Sequence, residues 1–202
     1  MRLLELFSGT KSVSKAMSDY EIVSVDILSK YHPTHTADIL EWDYKQYPSG
    51  YFTHIWASPP CTEYSILKHN TGMPTDIEAA DRIVLRTFEI IDYFKPAKWF
   101  IENPQTGLLK KRPFMTELPF IDVDYCRFSD WGYRKRTRIW TNANKEDALC
   151  QKAECPNMIG KYHKASFAGK GRPKPYKYIN VPAGDNAYRI PERLIHYLFA
   201  DS

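Results

Sequence analysis

The chain has 202 residues, 43% hydrophobic and 26% charged, enough for one domain with a sizeable core and too mixed for an intrinsically disordered protein. No apolar run is long enough to cross a bilayer, "MRLLELFSGT" lacks the pattern of an export signal, and four unevenly spaced cysteines point to a reducing compartment rather than a disulfide framework. These features predict an intracellular protein, cytoplasmic or inside a host cell (nuclear in a eukaryote), not secreted and not membrane-bound. The net charge of +4 is unevenly spread: residues 127–177 carry 13 Lys and Arg against 4 Asp and Glu, while the remainder carries 15 against 20. One basic third on an acidic body suits a polyanionic partner.

In chain order, "RLLELF" (2–7) reads as a buried strand that "SGTKS" turns into a helix reaching about Met17. "EIVSVDI" (21–27) alternates and is a second strand ending at Asp26; "ADIL" (37–40) and "HIWAS" (54–58) read as two more. A long helix starts at an Asp76 cap, carries Ile83, Phe88, Ile91 and Phe94 near one face, and stops before Pro96. "KWFI" (98–101) is a buried strand ending at "ENP", and "FIDVDYC" (120–126) and "TRIWT" (137–141) add two more. Strands alternating with helices predict an α/β fold, a sheet with helices on both faces, in which ligands bind at the carboxyl ends of the strands. Gly9, Asp26, Asp38, Cys61 and Glu102 all fall at such ends.

The single glycine of "FSGTKS" allows close backbone approach to a ligand but does not make a three-glycine dinucleotide turn. Asp26 stands where a ribose hydroxyl pair is gripped, and Asp38 where an adenine amino group would be met; singly, each is equally an ordinary polar residue at a strand end. "ASPPCTEYS" (57–65) raises a sharper point. Two prolines stiffen the exit from a strand and hold Cys61 out of the core, as a nucleophilic thiol requires. Glu102 at a neighbouring strand end is a carboxyl that can hydrogen-bond a ring to which that thiol adds; its plainer use is as a cap of the turn. In "YRKRTRIWT", Arg136 and Arg138 share one strand face, suited to phosphate and base oxygens or to a charged, aggregation-resistant edge.

Together these segments resemble the cytosine-C5 DNA methyltransferases. "LFSGTKS" is similar to their cofactor loop, "VSVDI" and "ADI" to their acidic ribose and adenine contacts, and "SPPCTEYS" to their nucleophile loop. "ENP" is similar to the Glu-Asn-Val motif, "RKRTRIW" to Gln-x-Arg-x-Arg, and "DNAYRIPERLIHYLF" to the last motif. The motifs stand in the family's order and span nearly the whole chain. The resemblance implies a Rossmann-like S-adenosylmethionine-dependent methyltransferase sheet. It also implies methyl transfer to carbon 5 of cytosine in DNA, with a flipped base and a covalent bond from Cys61 to C6.

Carried over residue by residue, it makes Cys61, Glu102, Arg136 and Arg138 catalytic. Phe7, Ser8, Gly9, Thr10, Asp26, Ile27, Asp38, Ile39, Pro59 and Asn186 become the S-adenosylmethionine contacts, and the loop at about 62–74 becomes the lid over the base. The sequence departs from the family at Lys11 and Ser12, where glycines are usual, at Asp26 for Glu, at Arg134 for Gln and at Asp185 for Gly. Alternatives are the same chemistry on a tRNA cytosine and a non-catalytic nucleic-acid-binding relative. The compact size is compatible with a phage or viral enzyme acting as a monomer.

The expected organisation is a catalytic core over 1–142, a basic target-recognition insert over 143–184 and a returning motif and helix over 185–202. Ser65, Arg134, Lys161, Lys164, Lys170, Arg172 and Lys174 are the expected contacts to duplex DNA. The insert is short, so a short recognition site is expected. It also contains Cys150, Cys155 and His163, which with Cys126 make a four-ligand set for structural zinc; the spacing matches no standard finger, and free thiols in a loop are the alternative.

Overall fold

The computed structural model describes residues 1–166, 179–180 and 184–200. Seven strands form one sheet in the order β3-β2-β1-β4-β5-β7-β6. They are β1 Arg2–Leu6, β2 Glu21–Asp26, β3 His35–Thr36, β4 His54–Ala57, β5 Lys98–Pro104, β6 Phe120–Asp124 and β7 Arg136–Thr141. The first five run parallel, and β7 inserts antiparallel between β5 and β6. The order reverses beside β1, so a crevice opens where β1 and β4 end, as expected for a ligand site in an open α/β sheet.

Alternation along the strands divides the core. Leu4, Leu6, Ile101 and Trp140 point to one face and pack against helix α3 (Ile77–Phe94) through Val84, Ile90 and Phe94. Leu3, Trp56, Phe100 and Ile139 point to the other, where α1 (Ser12–Ala16) and α4 (Glu192–Phe199) meet. The expected two-faced α/β architecture is therefore present. The Asp76 carboxylate accepts from Ala79 N at 2.8 Å and starts α3, and Lys95 ends it in the left-handed region just before Pro96. The deeply buried stripe of α3 is Ala80, Val84, Thr87, Ile90 and Phe94; the expected Ile83, Phe88 and Ile91 flank it, half-buried.

Two strands differ from expectation. "ADIL" is not a strand: β3 is the preceding pair His35–Thr36, because Asp38 turns the chain by accepting from Leu40 N with its side chain and from Trp42 N with its carbonyl. β5 runs on through "ENP", so Glu102 and Asn103 lie within a strand and their directions are set by its pleat. The start of the expected insert continues the sheet edge. Ala148 bridges Val123, and its N–H and carbonyl bond Asp122 and Asp124. Lys170, Arg172 and Lys174 lie outside the described residues, as does the side chain of Asn186. No helix among the described residues is long and apolar enough to cross a membrane.

Candidate active site

The loop after β1 is sharply wound. Phe7, Gly9 and Lys11 all have positive φ, and Lys11 adopts the left-handed region that costs a side-chain-bearing residue about 1 kcal/mol. This is one of the two positions where the resemblance anticipates glycine. Lys11 is held there by its Nζ bonding the His32 carbonyl and by its own N–H reaching Ser8 O at 2.7 Å. Asp26 locks the loop from β2: its two carboxylate oxygens accept from Gly9 N and Leu28 N, both at 2.8 Å. Asp26 thus shapes the pocket through backbone contacts.

Behind this loop lies Glu5, which the sequence reading passed over. It is buried, lines the cavity, and caps α1 by accepting from Val13 N, Ser14 N and the Ser14 hydroxyl. Burial outweighs these bonds and pushes its pKa from 4.5 up to about 7. Because the folded value lies above the unfolded one, the folded state holds the proton more tightly. The resulting stability is fully present below about pH 4.5 and is lost as pH rises through 7, a change of about 3 kcal/mol. Urea unfolding between pH 5 and 8 is expected to show wild type losing its advantage over Glu5→Gln as pH rises. A constant difference between the two proteins would contradict this assignment.

After β4 the Pro-Pro segment behaves as the sequence suggests. Ser58 N still bonds Leu6 O, Pro59 is buried with its carbonyl accepting from Asn103 Nδ2 at 3.0 Å, and Pro60 is exposed. Cys61 is half-buried, outside both core clusters. Its loop is anchored from below by Tyr64, fully buried, whose hydroxyl donates to Asp81 at 2.9 Å while Arg112 pairs with the same carboxylate. Beyond it, Ser65 precedes the short helix α2 (Ile66–Asn70) with no side-chain capping bond, and Leu67 and Met73 are exposed.

One cavity of about 390 Å³ joins these parts. Its walls include Phe7, Ser8, Gly9, Thr10, Asp26, Ile27, Asp38, Ile39 and Pro59, nine of the ten positions expected to hold the cofactor, and continue to Cys61 and Glu102. Ile83, Tyr31 and Tyr188 also line it and were not anticipated. Ser8 Oγ and Asn103 Oδ1 are buried there without a hydrogen-bond partner among the described residues, two polar atoms left for a polar ligand. Glu102 is 7% exposed, and its Oε1 accepts from Thr137 Oγ1 at 2.7 Å and Tyr125 OH at 3.4 Å. Burial and the Glu102 charge both push the Cys61 thiol up from its ordinary value, while Lys135 draws it down.

Arg136 and Arg138 do not join this site. Opposite residues in an antiparallel pair share a face, and Arg138 stands opposite Asn103 and Asp122 whereas Glu102 stands opposite Ile139. The Arg138 guanidinium pairs with Asp122 (2.8 and 2.9 Å) and lies 3.5 Å over the Phe120 ring. Arg136 pairs with Asp124 (3.0 and 2.7 Å). Neither lines the cavity; the residues between and before them do the work, Thr137 on Glu102 and Lys135 on the cavity wall. Arg134, Lys161 and Lys164 are exposed, as a nucleic-acid contact requires.

A second site lies on the far side of Tyr125. Cys126, Cys150, Cys155 and His163 bring their ligand atoms within 4.8 Å of one another, with His163 Nε2 3.5 Å from Cys150 Sγ and 3.6 Å from Cys155 Sγ. All four residues expected as a ligand set converge.

The sheet and its strand order are those of a Rossmann-like methyltransferase fold. Among solved structures, the Schizosaccharomyces pombe Dnmt2 methyltransferase superposes with a TM-score of 0.50 over 72% of this chain and 51% of that one, at 15% identity. The Entamoeba histolytica methyltransferase EhMeth does so with a TM-score of 0.53 over 75% and 57%, at 19% identity. At those identities the likeness speaks for the fold, and this chain spans about half the length of each. No protein-family model matches. A probable DNA (cytosine-5)-methyltransferase of Frog virus 3 (isolate Goorha) is 41% identical over 174 residues, 78% of this chain and 79% of the relative. The chain belongs to the DNA (cytosine-5)-methyltransferase family.

Proposed function

We propose that this protein transfers a methyl group from S-adenosylmethionine to carbon 5 of cytosine in duplex DNA, through a transient bond between Cys61 Sγ and C6. The observation that carries the reading is that Cys61 and Glu102 share one cavity with the loop, acidic and apolar residues suited to the cofactor. The two unpartnered polar atoms and the apolar walls fit a ligand with an amino-acid end and a nucleoside end.

When bound, S-adenosylmethionine supplies the methyl group as a sulfonium substituent. Phe7, Ile27 and Ile39 provide apolar surface for its base, Asp38 is placed for the adenine amino group, and Asp26 braces the Gly9 turn. The base is drawn from the stack into the cavity, which the loop at 62–74 covers with Leu67 and Met73. Cys61 Sγ bonds C6, making C5 nucleophilic. Glu102, steadied at Oε1 by Thr137, accepts from the cytosine 4-amino group and so rejects thymine. C5 takes the methyl group as the sulfonium C–S bond breaks and leaves the donor a neutral thioether; water then accepts the C5 proton, the C–H pair re-forms the C5–C6 double bond, and Sγ departs as the thiolate.

Arg134, Lys161 and Lys164, with Lys170, Arg172 and Lys174, supply the phosphate contacts, and residues 143–184 serve as a minimal reader of a short site. The protein works as a monomer inside the cell. Zinc at Cys126, Cys150, Cys155 and His163 staples that segment to the sheet. Tetrahedral zinc places sulfur and nitrogen ligands about 3.5 Å apart, and the two sulfur–nitrogen separations are 3.5 and 3.6 Å. The ion's part there is structural, since four protein ligands leave no open position.

Labelled S-adenosylmethionine offered with duplex DNA and, separately, tRNA tests the substrate. Label is expected at cytosine C5 of DNA alone; label confined to tRNA would move the reaction to RNA, and label in neither would sink it.

A further inference from the structure

With both arginines turned to the opposite face and held by Asp122 and Asp124, Lys135 is the one cation lining the cavity among the described residues. It sits immediately before β7, with its carbonyl accepting from Tyr125 N at 3.1 Å. Its Nζ lies 5.0 Å over the Tyr125 ring and 3.5 Å from Ala187 O, so the ammonium is held between the end of β6 and the turn before α4. The same Tyr125 ring reaches Glu102 through its hydroxyl. Lys135, Glu102 and Cys61 therefore line one cavity from three separate segments.

We propose that Lys135 is the positioning residue for the nucleophile: its ammonium shares the cavity with Cys61 and stabilises the thiolate as it forms for attack. This rests on the Cys61 addition proposed above. The thiol proton leaves to solvent, the sulfur lone pair forms the Sγ–C6 bond, and the C5–C6 π pair moves onto the ring; Lys135 contributes charge and gives up no proton. The remaining charges facing the cavity oppose it. Glu102 comes from β5, Glu5 from β1, Asp26 from β2 and Asp38 from the turn after β3, with the neutral Tyr125 behind Glu102. Burial and Glu102 raise the Cys61 thiol, and Lys135 is the side chain that lowers it. The family motif offers no hint of this, because Lys135 occupies one of its unspecified positions.

The test is alkylation of Cys61 in the full chain by iodoacetamide from about pH 6 to 10, read on the Cys61 peptide by mass spectrometry. Lys135→Gln is expected to move the midpoint up by about one pH unit, the low end of the shift a neighbouring opposite charge produces. Lys135→Arg is expected to stay near wild type. Methyl transfer near neutral pH should fall about tenfold in kcat for Lys135→Gln, recover as pH rises, and keep its KM for S-adenosylmethionine. An unchanged midpoint in Lys135→Gln overturns the proposal, and so does an equal shift in Lys135→Arg, which would mean lost packing rather than lost charge. If the midpoint moves as expected but wild type methylates neither polymer, the pairing stands and the proposed reaction falls.

Discussion

Replacing Cys61 by Ala is expected to lower methyl transfer at least ~10³-fold, because Cys61 is the one thiol lining the cavity among the described residues. Cys61 lies outside both core clusters, and its loop is anchored by Tyr64, Asp81 and Arg112 and by the Pro59 carbonyl on Asn103. Removing one sulfur therefore leaves that scaffold standing. Calorimetric titration should find S-adenosylmethionine binding to the variant within a few-fold of wild type, and the melting temperature should be nearly unchanged. Duplex DNA carrying 5-fluorocytosine sharpens the test: fluorine at C5 cannot be lost as a proton is, so the adduct should accumulate on the Cys61 peptide and be missing from Cys61→Ala. Loss of activity together with loss of cofactor binding would mark Cys61 as structural. An active variant would end the covalent reading.

Removing the metal should have the next largest effect. Zinc is expected in stoichiometric amount in the purified protein, and Cys155→Ser or a strong chelator should lower the melting temperature by roughly 10 °C. Structural zinc contributes about 10 kcal/mol or more in isolated fingers; here β6 and its bonds to residues 147–150 already hold part of the site, so a loss of about 3–5 kcal/mol is the expected scale. The damage should also reach the chemistry. Asp124, Tyr125 and Cys126 are consecutive: Asp124 holds Arg136 and accepts from Cys150 N, Tyr125 touches Glu102, and Cys126 belongs to the Cys3His cluster. Elemental analysis combined with thermal melts checks this, and substoichiometric zinc in undenatured protein would refute the site.

The cavity wall was legible because its residues are local in sequence. Phe7 through Thr10 and Pro59 through Cys61 are single loops leaving strands whose apolar runs are plain, and a short loop carries its side chains wherever the strand end points. The convergence of the three cysteines and His163 was legible for a different reason: sulfur and imidazole are uncommon enough that four of them near one insert admit few alternatives. "ADIL" misled because an apolar pair beside an acid reads alike in a strand and in a turn, and the Asp38 side chain settles it by bonding Leu40 N.

The arginines show where reading along the chain stops. Residue types, their order and the spacing of two within β7 are all local properties, and from them follow the fold class and the cysteine and acidic residues that line the cavity. Which face of the sheet each side chain takes depends on the register of β7 against β5 and β6, strands brought to it from elsewhere in the chain. A shift of one residue exchanges the two faces. That register sends Arg136 and Arg138 to Asp124 and Asp122 and brings Thr137 to Glu102, with Lys135 on the cavity wall. Cross-strand pairing is a contact between distant segments, and no local pattern encodes it.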